Sequence, residues 1–152
     1  VSLDVHFSSA KHDWQTPQDL FDALHVEFDF TVDGAANAAT TRLPRWWGPG
    51  SSEHENTLTA PESAWAGESV YINSPYGRAQ AAFVEAAFRH HWVAKHIVFL
   101  LPARTDTRLF HTYFWNPRIH AKRVREIRFL KGRLIFQGAP APAPFPSMVV
   151  VL

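Results

Sequence analysis

The chain has 152 residues, no cysteine and a formal net charge of +1 at pH 7. Its length supports one hydrophobic core, and the missing cysteines exclude disulfides, zinc–thiolate sites and thiol nucleophiles together. No signal sequence or membrane-length apolar run stands out, so the expectation is a soluble, cytoplasmic protein without a membrane partner.

The charge is unevenly spread. Residues 1–70 hold three Lys/Arg against eleven Asp/Glu, and residues 71–152 hold twelve against three. A basic second half suits a polyanionic partner, with Arg118, Lys122, Arg123, Arg125, Arg128, Lys131 and Arg133 as its densest part. A solvated charged surface is the plainer reading of the same letters.

Residues 1–12 carry little pattern and read as an entry arm. Thr16 and Pro17 predict a helix start, the threonine as cap and the proline in the first helical position. Leu20, Phe21 and Leu24 then form the apolar stripe of a helix over residues 17–25. Such an N-terminus also suits an anion. Phe28, Phe30 and Val32 alternate with polar residues and predict a strand with one buried face. It ends at Asp33-Gly34-Ala35-Ala36-Asn37, where a carboxylate and small residues let a ligand approach the backbone; a plain strand-to-loop turn fits too. Residues 40–52 are irregular, with Trp46 and Trp47 read as packing residues rather than stacking platforms.

Val70, Tyr71 and Ile72 predict a buried strand that stops on Asn73-Ser74-Pro75-Tyr76-Gly77. Ala79, Ala82, Phe83, Ala86 and Ala87 follow at helical spacing, to about His91 or Trp92. Residues 96–101 read as a strand buried on both faces, closed by Pro102. Thr105 or Asp106 then caps a helix carrying Leu109, Phe110, Tyr113 and Phe114. Strands alternating with helices imply a mostly parallel sheet with right-handed crossovers. Val124, Ile127 and Phe129 suggest a strand, Gly132 a turn, and residues 134–136 a second short strand. Residues 138–146 form an Ala/Pro-rich loop, and residues 148–152 a closing strand, so the sheet is expected to finish in an edge hairpin.

The end of the central strand is where the chemistry concentrates. Pro75 removes an N–H and holds Ser74 extended, so the Ser74 carbonyl and the Asn73 side chain point out of the strand's end. The exocyclic amine of a nucleobase is a poor nucleophile, because its lone pair is delocalised into the ring. Two fixed acceptors can bind its hydrogens and favour a tetrahedral nitrogen in the transition state. Tyr76 can stack on a base that has left its helix, at roughly 1–3 kcal/mol per base. Asn, Ser and Pro are also common turn residues, and a simple turn is the competing reading.

Asn73-Ser74-Pro75-Tyr76 resembles the Asn/Asp-Pro-Pro-Tyr motif of amino-directed methyltransferases that use S-adenosylmethionine. The resemblance widens with Trp14-x-Thr16-Pro17, then Phe21, Leu24, Phe28, Phe30, Asp33, Ala35 and Ala36, then Glu55-Asn56-x-Leu58 with Trp65. It continues through Leu101-Pro102-Ala103-Arg104-Thr105-Asp106-Thr107 and Lys131-Gly132-Arg133-Leu134-x-Phe136. In this order the pieces are similar to the small phage-type DNA adenine methyltransferases of the Dam family, over roughly residues 14–152.

The resemblance implies a Rossmann-like class I methyltransferase fold, with a mostly parallel sheet flanked by helices, as a single domain over residues 1–152 with no separate target-recognition domain. It implies S-adenosylmethionine as cofactor, double-stranded DNA as partner, and the N6 amine of a flipped adenine as target. By position, Thr16 and Pro17 would lie near the methionine part of the cofactor, Asp33 and Ala35 near its body, and Asn56 near its adenine. Asn73, Ser74, Pro75 and Tyr76 would hold the target amine. Arg104, Asp106, Lys131 and Arg133 would shape the target pocket or grip phosphates, Asp106 serving equally well as a helix cap.

Ser74 stands where the family motif more usually has proline, which keeps the backbone acceptor but leaves the turn less rigid. Asparagine at position 73 occurs in adenine-directed and cytosine-directed enzymes alike. The alternatives are therefore transfer to cytosine N4, to RNA or to a protein glutamine, or a catalytically silent DNA-binding module. His90 and His91 are adjacent rather than four apart, so no metal site is expected.

Overall fold

The computed structural model describes residues 14–116 and 123–152; Arg118 and Lys122 of the basic run lie outside them. Among the described residues the chain builds one five-stranded sheet. It comprises β1 (Val32–Asp33), β2 (Ser69–Ile72), β3 (His96–Pro102), β4 (Glu126–Phe129) and β5 (Ser147–Val151), in the order β1-β2-β3-β5-β4. The first three pair in parallel, and β5 returns antiparallel between β3 and β4. The sheet is thus a mixed α/β one, parallel at one end and antiparallel at the other. The closing strand does not itself form the edge; it is inserted beside β3, and β4 is the outer strand of the hairpin.

Strand parity explains the layers. Val70, Ile72, Ile97, Phe99, Leu101, Met148 and Val150 face one core, which α3 (Arg78–His90) covers with Val84, Ala87 and Phe88. Tyr71, Val98, Leu100, Val149 and Val151 face a second core, which α1 (Gln18–Phe28) covers with Phe21, Leu24 and Phe28. Runs buried on both faces are what uninterrupted apolar strands require. Phe99 has no exposed surface, and truncating such a side chain to alanine costs about 3–5 kcal/mol.

Four local expectations are corrected by the fold. Helix α1 runs to Phe28, because Phe28 lies four residues beyond Leu24 on the same buried stripe. Asp29 then ends it in the left-handed region at φ 48°, its N–H donating to the His25 carbonyl at 2.8 Å. Phe28 and Phe30 therefore flank a helix terminus, and only Val32 and Asp33 form strand. Thr16 makes no cap bond to α1; its hydroxyl shares a hydrogen bond with the Tyr71 hydroxyl instead. Neither Thr105 nor Asp106 caps the segment that follows β3. The segment is a π-helical turn over Phe110–Phe114 with no side-chain cap bond at its boundary residue Leu109, and Thr107 Oγ1 accepts from the Phe110 N–H at 3.3 Å. Residues 134–136 form no strand: Phe136 is buried in the second core while Ile135 is 56 % exposed.

Trp47 is a packing residue, 1 % exposed and edge-on to Trp65 at 5.0 Å; Trp46 is half-buried. A one-turn helix α2 (Glu62–Trp65) delivers Trp65 to that contact. His90 also stacks on Trp65, at 5.4 Å.

Candidate active site

Because β1, β2 and β3 are parallel, their carboxyl ends share one edge of the sheet, where open α/β sheets bind ligands. Two cavities open there. Asn73 and Pro75 line the first, Tyr76 and Gly77 the second, and Trp14 lines both. The strand-end motif is the wall between them.

The first cavity has a volume of about 520 Å³ and lies beyond β1 and β2. Of the predicted cofactor residues, Thr16, Asp33, Ala35 and Asn56 line it, and Pro17 does not. Asp33 is 5 % exposed. Burial pushes its carboxyl up to about 6, against weak opposition from the backbone N–H groups of Ala35 and Arg42, each donating at 3.4 Å. A carboxylate so sparsely satisfied can take a cation or a hydroxyl donor from a ligand. Asn56 Oδ1 accepts from the Leu58 N–H at 2.9 Å, capping the short 3₁₀ turn Thr57–Thr59, which leaves both amide hydrogens of Nδ2 for another partner.

Gly34 belongs to the sheet rather than to a ligand. A Cβ there would stand 2.7 Å from the Val70 side chain and 3.0 Å from that of Ile72, so the missing side chain is the space β2 occupies. Gly48, which does line the cavity, is more constrained still: at φ +146°, its Cβ would fall 1.8 Å from the Ala36 carbonyl oxygen.

The strand-end asparagine is oriented by what lies behind it. Asn73 Nδ2 donates to the Trp14 carbonyl at 2.6 Å and to Thr16 Oγ1 at 3.3 Å. A carbonyl cannot donate, so the nitrogen must face Trp14, and Oδ1 is turned the other way. No donor from the described residues reaches that oxygen or the Ser74 carbonyl. The segment 14–16 that imposes this is itself pinned. Tyr71 holds the Thr16 hydroxyl, Arg42 donates to the Thr16 carbonyl and to Gln18, and the Gln137 N–H donates to the Gln15 carbonyl at 2.9 Å. Arg42 also reaches Gln137 Oε1 at 2.5 Å.

Sequence reasoning missed both Tyr71 and Arg42 as site residues. Strand parity offered a signal for Tyr71, which stands two residues before Asn73 on the same side. Nothing local announces Arg42.

The second cavity, about 410 Å³, lies where β3 ends against the start of β5, Pro102 being in register with Ser147. Its lining is largely hydrocarbon and aromatic. The Tyr76 ring meets Phe145 edge-on at 5.3 Å, and Trp14 meets Phe145 at 5.7 Å. Burial pushes the Tyr76 hydroxyl up, so it stays protonated. Arg104 lines this cavity with its guanidinium 5.9 Å from the Phe145 ring centre. Ser74 lines neither cavity; it is 2 % exposed and its hydroxyl has no partner among the described residues.

Asp106, Lys131 and Arg133 are exposed and line neither cavity. Arg128 of the basic run is already engaged, forked onto Glu27 and Glu126. That pairing holds both carboxylates below their ordinary range and raises the guanidinium.

No helix among the described residues is long and apolar enough to cross a membrane. No curated protein and no solved structure matches the chain. The family model described as DNA N-6-adenine-methyltransferase (Dam) matches residues 6–145. Matched over most of its length, the chain belongs to the DNA N-6-adenine-methyltransferase (Dam) family, which implies methylation of adenine in DNA with S-adenosylmethionine as methyl donor.

Proposed function

We propose that the chain acts as one Rossmann-like class I methyltransferase domain that methylates the N6 amine of an adenine flipped out of duplex DNA, with the first cavity for the methyl donor and the second for the base. The observation that carries this reading is the Asn73 side chain, whose nitrogen is committed to Trp14 and whose oxygen is left as a fixed acceptor at the boundary of the two cavities.

The first cavity fits the donor chemically. A half-satisfied buried carboxylate suits hydroxyl or ammonium groups, and Asn56 on the same lining keeps its Nδ2 to donate to a ligand. Its volume is in the usual range for a cofactor-sized ligand. Thr16, Asp33, Ala35 and Asn56 would hold the group there; Pro17 would act only by setting the course of the chain into α1. When bound, S-adenosylmethionine supplies an electrophilic sulfonium methyl.

Everything else falls to the chain. Tyr76 stacks on the base and offsets part of the unstacking cost, about 1–3 kcal/mol. Asn73 Oδ1 accepts one amine hydrogen, and the Ser74 carbonyl, at the strand end although Ser74 itself lines neither cavity, is assigned the other. They favour the tetrahedral nitrogen and the positive charge that develops as the new N–C bond forms. No Asp, Glu or His lines the second cavity among the described residues, so the amine proton leaves to solvent after transfer. Positioning and fixed dipoles therefore provide the acceleration. Arg104 at the cavity wall, and Lys131 and Arg133 outside it, are assigned to the phosphates.

The test is transfer of labelled methyl from S-adenosylmethionine to duplex DNA, followed by nucleoside analysis. N6-methyladenine is expected. N4-methylcytosine would keep the machinery and change the base, whereas labelled RNA or protein in place of DNA would contradict the substrate class. DNA binding with no transfer at all would make the chain a silent binding module.

A further inference from the structure

A third cavity, of about 540 Å³, lies between the π-helical turn and β4, and it adjoins the second, since Phe114 lines both. Strand β5 runs antiparallel to β3 and to β4, so β4 points the same way as β3. Its last residue, Phe129, therefore stands at the carboxyl edge of the parallel strands, in register with Met148, which lines the second cavity. Two large rings on the lining of this groove are left uncovered: Trp115 is 62 % exposed and Phe129 58 %. Trp115 lies nearly parallel to Phe110 of the second cavity, with ring centres 6.1 Å apart. A single exposed apolar side chain is ordinary, whereas two uncovered aromatics on one concave surface mark a binding site.

The charge around the groove suits a polyanion. Arg125 lines it, is exposed, and donates one N–H to His96 Nδ1 at 3.3 Å. Glu126, the one carboxylate on the lining among the described residues, is held by Arg128 at 2.8 Å. Lys131 and Arg133 follow Phe129 closely in the chain, and both are exposed. Aromatic faces beside cations are the surface on which unpaired bases stack. Resting on the second cavity as the site of the flipped adenine, we infer that this groove binds the nucleobase next to the target on the same strand, stacked on Trp115 and Phe129 with Arg125 near its phosphate. A flipped adenine leaves each neighbour with one stacking face, so drawing a neighbour out costs less than opening an intact duplex.

The experiment measures affinity by fluorescence anisotropy for short single-stranded thymidine oligonucleotides with one central adenine, in which the base 5′ of the adenine, the base 3′ of it, or neither is removed as an abasic site. The wild type is expected to bind about tenfold more weakly when the base on one side is missing and to be indifferent to the other. Trp115→Ala and Phe129→Ala each bind the intact oligonucleotide more weakly, by a factor on the order of 3–10, and the double variant is indifferent to both abasic sites. Each single variant also shows a smaller abasic penalty than the wild type, which decides the matter if the double variant does not fold. Trp115→Phe, which keeps an aromatic face, retains most of the affinity. A wild type that does not bind the intact oligonucleotide or is indifferent to both abasic sites, or alanine variants that keep the full wild-type penalty, would overturn the inference. A wild type that binds with the expected abasic penalty yet transfers no methyl to any DNA supports the groove and contradicts the methyl-transfer reading beneath it, a separate outcome.

Discussion

The two cavities share an edge of the sheet and a wall, yet they are made of opposite materials. The first sits beyond parallel strands and gathers Asp33, Arg42, Asn56 and Thr16 around a buried carboxylate. The second sits where an antiparallel strand meets β3, and it gathers rings and hydrocarbon around a few polar atoms. The difference matches the ligands proposed for them. A flexible, multiply charged donor needs a partner for each polar group. A flat base needs two walls and a few directed hydrogen bonds. Asn73 and Tyr76 are placed where one chemistry hands over to the other.

If the division is real, substitutions confined to one cavity should leave the other's function intact. The largest one-sided effect is expected from Tyr76→Ala: losing about 1–3 kcal/mol of stacking should lower kcat/KM for DNA by a factor on the order of 10–100, with S-adenosylmethionine affinity within about twofold of wild type. A matching loss of cofactor affinity in a binding titration would blur the boundary.

Asp33→Asn should do the reverse, weakening cofactor binding about tenfold at pH 8 through a lost charge-assisted hydrogen bond. The pH dependence sharpens this. A ligand that favours the ionised carboxylate binds best above about pH 6 and progressively less as the pH falls below it; the Asp33→Asn variant should show no such slope. Without ligand the sign is opposite. The folded pKa is raised, so the contribution of Asp33 to stability is full below about pH 4 and is lost as the pH rises through about 6. Thermal unfolding of the free protein at pH 4 to 8, with and without the substitution, reads that contribution directly.

Tyr71→Phe should have the smallest effect. It removes the hydroxyl that holds Thr16, and through Thr16 the Asn73 amide. A fall in kcat of about threefold to tenfold, with KM for DNA unchanged, is expected of a positioning residue. A pure stability defect would instead lower Tm and leave kcat of the folded fraction intact.

Much of this was legible in the letters, for physical reasons that can be named. Strands β2, β3 and β5 are continuous apolar runs buried on both faces, and no other element competes for such runs. The strand-end motif carries its own geometry in Pro75. The end of α1 was misread because Phe28, Phe30 and Val32 satisfy a period of two, while Phe28 also satisfies the helical spacing from Leu24; the helix took it. Thr16 before Pro17 looked like a cap, yet its hydroxyl is drawn to Tyr71, 55 residues away. Gly34 looked like an opening for a ligand and proves to be room for β2. Arg42 was invisible because its meaning lies in partners distant along the chain, Gln18 and Gln137.

The central claim is that Asn73 acts on the amine and not on the cofactor, although it lines the cofactor's cavity. The most direct measurement is single-turnover methyl transfer to duplex DNA by Asn73→Ala, alongside its affinity for S-adenosylmethionine by calorimetry. A fall in rate on the order of 10²–10³, as for loss of one preorganised oxyanion-type partner, with cofactor affinity nearly unchanged, is the result predicted. An affinity loss of the same size as the rate loss would contradict it and move Asn73 to the donor side of the wall.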